Sequence, residues 1–191
     1  VVSFAIFAHR THGLSDRAVG GLMSLLVFTF ALATYPFGRL SDRAPRACIL
    51  GAGAIVSAIA LAGVAISPKG ALPGLMVATG LGWAAMFSAM LGYASCLVDA
   101  DERRASMSLL QAAGAFGMVL GPIVAGVATA VVTRTSGAAA GARIAFWMAA
   151  VALASWVLAA LPWLVRHARA EHRDRGLARA RETAHHLGLQ V

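Results

Sequence analysis

Charged side chains are scarce in this sequence, and its long apolar runs contain none. Asp, Glu, Lys and Arg make up 13% of the 191 residues, about half of their usual share of about 25% in a soluble domain. Each run is about twenty residues or longer, enough for a helix to cross roughly 30 Å of hydrocarbon. We therefore predict an all-α fold, a polytopic transmembrane helix bundle with five complete spans. The runs are Val19–Phe37, Ala47–Ser67, Leu72–Val98, Ser106–Val132 and Ile144–Val165.

Reactive side chains are equally scarce inside these runs. A membrane-embedded enzyme needs His, Asp, Glu or Cys side chains that converge at membrane depth. The runs offer only Cys48 and Cys96, both near predicted helix ends, and two cysteines do not make a disulfide framework. His185 and His186 are adjacent and would point about 100° apart on a helix. We expect no enzymatic activity, no metal site and no cofactor, and no membrane carboxylate in this chain to carry a proton.

Basic residues outnumber acidic ones, and the formal net charge is +8. The arginines lie in connecting segments and in the tail, not interleaved with aromatic residues on one face, so a nucleic-acid partner is not expected. Segments 38–47 and 99–104 and the tail 166–191 together hold eleven arginines, whereas the opposite connections hold five basic residues. The positive-inside rule then places the tail in the cytoplasm, near anionic headgroups. We expect residence in the plasma membrane, the inner membrane of a bacterium.

The apolar stretch at the start of the chain is shorter than a membrane span. Val1–Ala8 is apolar but too short to cross a bilayer, so it is either a truncated first span or a short amphipathic lead-in. A polar connection, 9–18, follows, with Ser15 as the predicted N-cap of the next helix. We also predict a tight turn at 68–70 and a loop of small residues at 133–143. The predicted domains are a six-helix bundle, 1–165, and a basic tail, 166–191.

A short charged segment separates the second and third spans. It reads Gly-Arg-Leu-Ser-Asp-Arg-Ala-Pro-Arg-Ala over residues 38–47. Glycine would let two helix ends approach closely, and Asp42 is placed to meet a helix N-terminus or an arginine. Asp42 would then form a contact that one conformation makes and another breaks. Alternatively, it offsets the arginines of a solvated loop. The predicted latch residues are Gly38, Leu40, Asp42, Arg43 and Arg46.

The fifth span is rich in glycine around a Gly-Pro pair. Gly117 and Gly121 share a helix face and would permit close packing of a neighbouring helix. Pro122 removes a backbone donor and bends the helix. The segment is either a gating helix or a plain packing face. The residues concerned are Gly114, Gly117, Gly121, Pro122 and Gly126.

Both segments resemble motifs of the major facilitator superfamily (MFS) of transporters. The first is similar to the loop motif between the second and third helices of each six-helix half, although Pro45 stands where a second glycine is usual. The second resembles the glycine-rich helix of the superfamily. The N-terminal half usually has an arginine before a glycine in its fourth span, and Gly74–Gly80 has none. This absence and the polar tail favour the C-terminal half.

The resemblance implies a secondary transporter that moves a small solute by alternating access. Its partners would be the lipid bilayer, a small-molecule substrate and the missing N-terminal half. A stripe of aromatic and methionine side chains in the fourth span, whose residues are given in the next paragraph, favours efflux of small amphipathic compounds. The alternative is a membrane scaffold or sensor that keeps the fold without transport.

The fourth and fifth spans supply candidate cavity residues. Aromatic and methionine side chains recur in the fourth span at three- and four-residue steps, which predicts one shared helix face. The face either borders a solute cavity or packs against another helix. Gln111 would bind solute or a neighbouring carbonyl group. The candidates are Trp83, Met86, Phe87, Met90, Tyr93 and Gln111.

Overall fold

The computed structural model describes residues 2–96 and 103–186, and helices account for nearly all of them. No strand occurs in these two ranges. One 3-10 turn, Lys69–Ala71, joins the third and fourth helices. The six α-helices are α1 (Val2–His12), α2 (Asp16–Arg43), α3 (Arg46–Ile66), α4 (Leu72–Cys96), α5 (Arg103–Ser136) and α6 (Ala138–His186).

Five of these helices are long and apolar enough to cross a membrane. Each of the five predicted runs lies wholly or for most of its length in one of these helices, so the all-α polytopic bundle is confirmed. Helix α1 has 11 residues and is not among the five. It nevertheless packs into the bundle, because Phe7 and Ala8 are fully buried.

Helix α2 begins where the sequence predicts. Ser15 is the N-cap, and its hydroxyl accepts a hydrogen bond from the Ala18 N–H at 3.4 Å. Asp16 in the first turn adds a favourable charge at the positive end of the helix. The polar connection is shorter than predicted, because α1 continues to His12.

The charged segment after α2 is not the ten-residue loop that the sequence suggested. Residues 38–43 continue α2, and the turn consists of Ala44 and Pro45 alone. The ring of Pro45 disfavours helical geometry at the preceding residue, and Ala44 is indeed extended, with φ −109° and ψ 159°. Its N–H still donates to the Leu40 carbonyl at 2.8 Å. Proline therefore ends the helix, whereas the charged residues before it do not.

The predicted loop of small residues at 133–143 is also wrong. Helix α5 continues to Ser136 and α6 begins at Ala138, so Gly137 alone separates them. Gly137 has φ +90°, a conformation that favours glycine and commonly ends a helix. The turn predicted at 68–70 is confirmed, since the Ala71 N–H donates to the Pro68 carbonyl at 3.0 Å.

Helix α4 packs along both α2 and α3. A Cβ atom at Gly80 would lie 2.8 Å from the Leu26 carbonyl oxygen of α2, and one at Gly53 would lie 2.8 Å from the Gly82 carbonyl oxygen. Such distances show backbones in direct contact, which small residues permit in membrane bundles. The Ser88 hydroxyl of α4 also donates to the Thr34 carbonyl of α2 at 3.2 Å.

The bundle has two ends, named here by their turns. The Lys69 end holds the α1–α2 turn, the 3-10 turn and Gly137, and the Pro45 end holds the α2–α3 turn and the start of α5. One hydrophobic cluster contains Phe7, Leu72 and Phe146 towards the Lys69 end. A second contains Ala47, Ala89 and Leu164 towards the Pro45 end.

The basic tail is partly a continuation of the bundle. Helix α6 runs without a break to His186, and Ala168 packs against the second cluster. The boundary predicted after residue 165 therefore falls inside one helix. Residues 187–191 lie outside the described part of the chain.

Candidate functional site

The predicted latch residues lie on both sides of the Pro45 turn. Asp42 is in the last turn of α2, and Arg46 is the first residue of α3. Asp42 Oδ1 and Arg46 Nη2 are 3.9 Å apart, with the two side chains 76% and 20% exposed. Such a long and exposed pair contributes little to stability. The geometry provides a contact that a small movement of either helix would break.

The other latch residues are arranged less closely. A Cβ atom at Gly38 would meet nothing within 4 Å among the described residues. A close approach in this part of the chain occurs at Gly92 of α4, where a Cβ atom would lie 2.8 Å from Arg46 Nε. Leu40 and Arg43 are exposed. Asp99, Asp101 and Glu102 lie outside the described residues.

Ser41 is a polar residue of this segment that the sequence did not single out. It is buried, and its hydroxyl has no hydrogen-bond partner in the described part of the chain. Leaving a buried hydroxyl unpaired costs free energy. A rearrangement at this end that gave the Ser41 hydroxyl a hydrogen-bond partner would therefore be favoured. No sequence signal distinguishes it from the exposed serines.

The α5 glycines have open space around them in the described part of the chain. A Cβ atom at Gly114, Gly117, Gly121 or Gly126 would meet nothing within 4 Å there. Pro122 lies inside the helix, as predicted. None of the α5 side chains that the structure describes is buried. The close packing expected of these glycines stays a prediction, whereas tightly packed glycines occur on α3, α4 and α6.

The aromatic and methionine stripe of α4 combines exposed and packed side chains. Trp83, Phe87 and Met90 are 39–45% exposed, and Phe87 lies edge-to-face with Phe30 of α2 at 5.7 Å between ring centroids. Met86 packs into the second hydrophobic cluster. Part of the stripe is therefore exposed, and part of it packs inside the bundle.

Tyr93 belongs to the packing part of the stripe, and Gln111 lies away from it. The Tyr93 ring is 5.5 Å from that of Trp163 on α6. Gln111 is exposed on α5 and does not point into the bundle as expected. Of the six candidates, Trp83 alone lines a cavity formed mainly by α2 and α4.

That cavity has a volume of about 700 Å³ and lies nearer the Lys69 end. Helices α2 and α4 form most of its wall, and the wall carries no charged side chain. Thr79 is its buried polar residue, but its hydroxyl already donates to the Leu75 carbonyl at 2.8 Å. The cavity suits an uncharged or apolar part of a molecule. Its lining includes Phe4, Met23, Leu26, Val27, Met76, Thr79, Trp83, Ala125 and Phe146.

Aromatic side chains from α1 and α6 close one side of the cavity. The ring centroids of Phe4 and Phe146 are 6.3 Å apart and those of Phe7 and Phe146 are 5.0 Å apart, both edge-to-face. Such contacts add to the free energy gained from burying the rings. The sequence did not identify these residues, because one apolar residue in an apolar run has no distinguishing signal.

The Lys69 end carries a titratable residue beside two cations. Burial lowers the pKa of His12, and the positive charges of Arg143 and Lys69 lower it further. Its Nε2 atom is buried and has no hydrogen-bond partner in the described part of the chain. His9 is more exposed, and its Nε2 lies 2.9 Å from Asp16 Oδ1.

Five membrane-length helices around an uncharged cavity define an integral membrane protein of the all-α, polytopic class. The family comparison is more specific. The chain belongs to the Major Facilitator Superfamily, a family of membrane transporters whose model matches residues 1–189.

Relatives in two bacterial species carry the name "Uncharacterized MFS-type transporter". Those of Yersinia pestis (strain Pestoides F) and Yersinia pseudotuberculosis (serotype O:3, strain YPIII) are each 30% identical over 110 residues. The match covers 58% of this chain and 28% of each relative's length. No solved structure gives a significant match.

Proposed function

We propose that the chain is the C-terminal six-helix half of a secondary active transporter, which moves a small solute by alternating access. The missing N-terminal half would complete the carrier. We place it in a bacterial inner membrane with the end of α6 in the cytoplasm. Membership of the superfamily supports the transport class.

The single observation that carries this proposal is the uncharged cavity between α2 and α4. A pocket of several hundred Å³ with apolar walls and few polar groups is typical of small-molecule sites. Trp83 and Phe146 offer flat apolar surfaces, and Met23 offers an adaptable one. These features favour a small amphipathic solute and are consistent with efflux.

The exposure of α2 and α5 supports a second half as the partner. Phe28, Leu32 and Tyr35 of α2 are each about two-thirds exposed, and Met118 of α5 is 80% exposed. The open glycine face of α5 would then admit the other half closely, with Pro122 providing a bend for gating. Asp42 and Arg46 would act as the latch at the Pro45 turn.

Transport by the intact gene product in proteoliposomes tests the proposal. Uptake and release of a panel of small amphipathic compounds would be measured with and without an ion gradient. Replacing Trp83→Ala removes a large apolar side chain from the cavity wall, so the apparent affinity for a transported compound should fall about tenfold.

The matched control is Trp147→Ala on α6. Trp147 has nearly the same exposure as Trp83, 40% against 43%, but does not line the cavity. Equal losses in the two variants would remove the cavity from the account. Absence of transport across the whole panel in the unmodified protein would favour the scaffold or sensor alternative.

A further inference from the structure

Another groove lies between α1, α5 and α6. Its volume is about 390 Å³. It shares no lining residue with the cavity that Trp83 lines, here called the solute cavity. It also lies on a different side of α5 from Gly117 and Gly121, because Gly126 and Thr133 are more than a quarter turn away around the helix. A partner packed on Gly117 and Gly121 would leave this groove open.

The two ends of the groove differ in chemistry. Arg10 of α1 and Arg134 of α5 line its mouth at the Lys69 end, with Thr133 beside them. Pro122 and Gly126 line its other end, further along α5 towards the Pro45 end, with other apolar residues. The groove therefore has a cationic mouth and an apolar interior.

The length of the groove matches one leaflet of a bilayer. Pro122 and Arg134 are twelve residues apart on one helix, which corresponds to about 18 Å along its axis. Half of a hydrocarbon core is about 15 Å thick. An occupant with its polar group at the mouth would thus place an apolar chain along the depth of a single leaflet.

Charge at the Lys69 end also favours an anion. Five basic residues lie in or beside the turns at this end, and Asp16 is the one acidic residue there. Asp16 pairs with His9. Within residues 2–96 and 103–186, neither Arg10 nor Arg134 has a carboxylate at ion-pairing distance. Guanidinium groups with free donors are well suited to phosphate oxygens.

We propose that this groove binds one anionic phospholipid of the surrounding bilayer. The phosphate group binds Arg10 and Arg134, and one acyl chain follows the apolar interior past Gly126. The site is independent of the solute cavity and of the transport proposal. Lipid binding requires both the positive charges at the mouth and the open, apolar interior of the groove.

The test measures lipid binding by the purified full-length protein with native mass spectrometry. The probes are phosphatidylglycerol, phosphatidylcholine and soluble glycerol 3-phosphate. Phosphatidylglycerol should bind about tenfold more tightly than phosphatidylcholine, and Arg10→Gln with Arg134→Gln should abolish the difference. Arg17→Gln, which removes one exposed charge at the same end without touching the groove, should leave the difference intact.

A second variant separates a seated chain from simple charge attraction. Gly126→Phe adds a side chain inside the groove and leaves every charge in place, so it should weaken phosphatidylglycerol binding as strongly as the arginine pair does. Circular dichroism checks that each variant folds, and Arg10→Lys with Arg134→Lys, which keeps the charges, should retain part of the binding. Unchanged binding in Gly126→Phe, or equal binding of glycerol 3-phosphate, would overturn the proposal.

Discussion

Individual glycines decide which helices touch in this bundle. Gly82 of α4 lies so close to α3 that a Cβ atom there would overlap the Ser57 hydroxyl and lie 2.8 Å from the Gly53 carbonyl oxygen. Gly74 on the same helix has open space around it. Both positions are glycines on the same helix, but Gly82 is tightly packed and Gly74 is not.

Replacing Gly82→Ala should therefore destabilise the protein by about 1–3 kcal/mol, the usual cost of overpacking. Gly74→Ala should be neutral or stabilising by up to about 1 kcal/mol, because alanine is the better helix former. Thermal unfolding in detergent measures both. Similar melting temperatures for the two variants would show that α3 and α4 are farther apart than described.

His12 should make the stability of the Lys69 end depend on pH. Burial lowers its folded-state pKa below the ordinary 6.5, so the unfolded chain binds the proton more readily. The stability contributed by neutral His12 is complete above pH 6.5 and is lost as the pH falls from there through the folded-state pKa.

The measurement is thermal unfolding between pH 8 and pH 5 for the unmodified protein and two variants. His12→Gln should flatten the decrease in stability that occurs below about pH 6.5, whereas His9→Gln should retain that contribution. If His12→Gln kept the full pH dependence, another group would be responsible.

At the scale of the helices, the apolar runs predicted the spans well and their ends poorly. Backbone hydrogen bonding does not stop where hydrophobicity stops, so α2 continues through its charged last turns to Arg43. Proline ends it there. The small residues after Thr133 were interpreted as a loop, although alanine is the strongest helix former. Gly137 alone interrupts the helix.

The candidate site was predictable only in part, for a related reason. Trp83 was found because an aromatic residue at helical spacing stands out, whereas Phe4 and Val27 do not. The packing role expected of the α5 glycines stays a prediction, since small residues show where a helix can approach but not which neighbour is present. Such partners depend on the tertiary arrangement.

The α2–α3 turn supplies a prediction about the latch. Asp42→Asn should leave expression and stability nearly unchanged, because a 3.9 Å ion pair with an exposed carboxylate contributes about 0–1 kcal/mol. Transport should fall about tenfold, as expected for a contact of about 1–2 kcal/mol made in one conformation and lost in another.

The control for this variant is Asp16→Asn at the opposite end. Asp16 is also exposed and also pairs with a basic side chain. Transport rates in proteoliposomes, normalised to the amount of protein, compare the two. A similar decrease in both would mean that Asp42 has no special role in the conformational cycle.

For the whole molecule, the bundle carries two kinds of apolar surface. One surrounds the solute cavity, and the other faces outward along the helices. Val27 lines the cavity, whereas Val151 on α6 does not. Both are nearly equally exposed, at 59% and 58%, so exposure alone does not distinguish them.

Labelling by a water-soluble maleimide tests most directly whether the cavity is an aqueous path for solute. Single cysteines at Val27→Cys and Val151→Cys would be compared in the intact protein in membranes, with Cys48 and Cys96 replaced by serine. The account predicts that Val27→Cys reacts and is protected by a transported compound, while Val151→Cys in lipid stays unlabelled. Equal labelling of both positions, or no labelling at Val27→Cys in any condition, would contradict it.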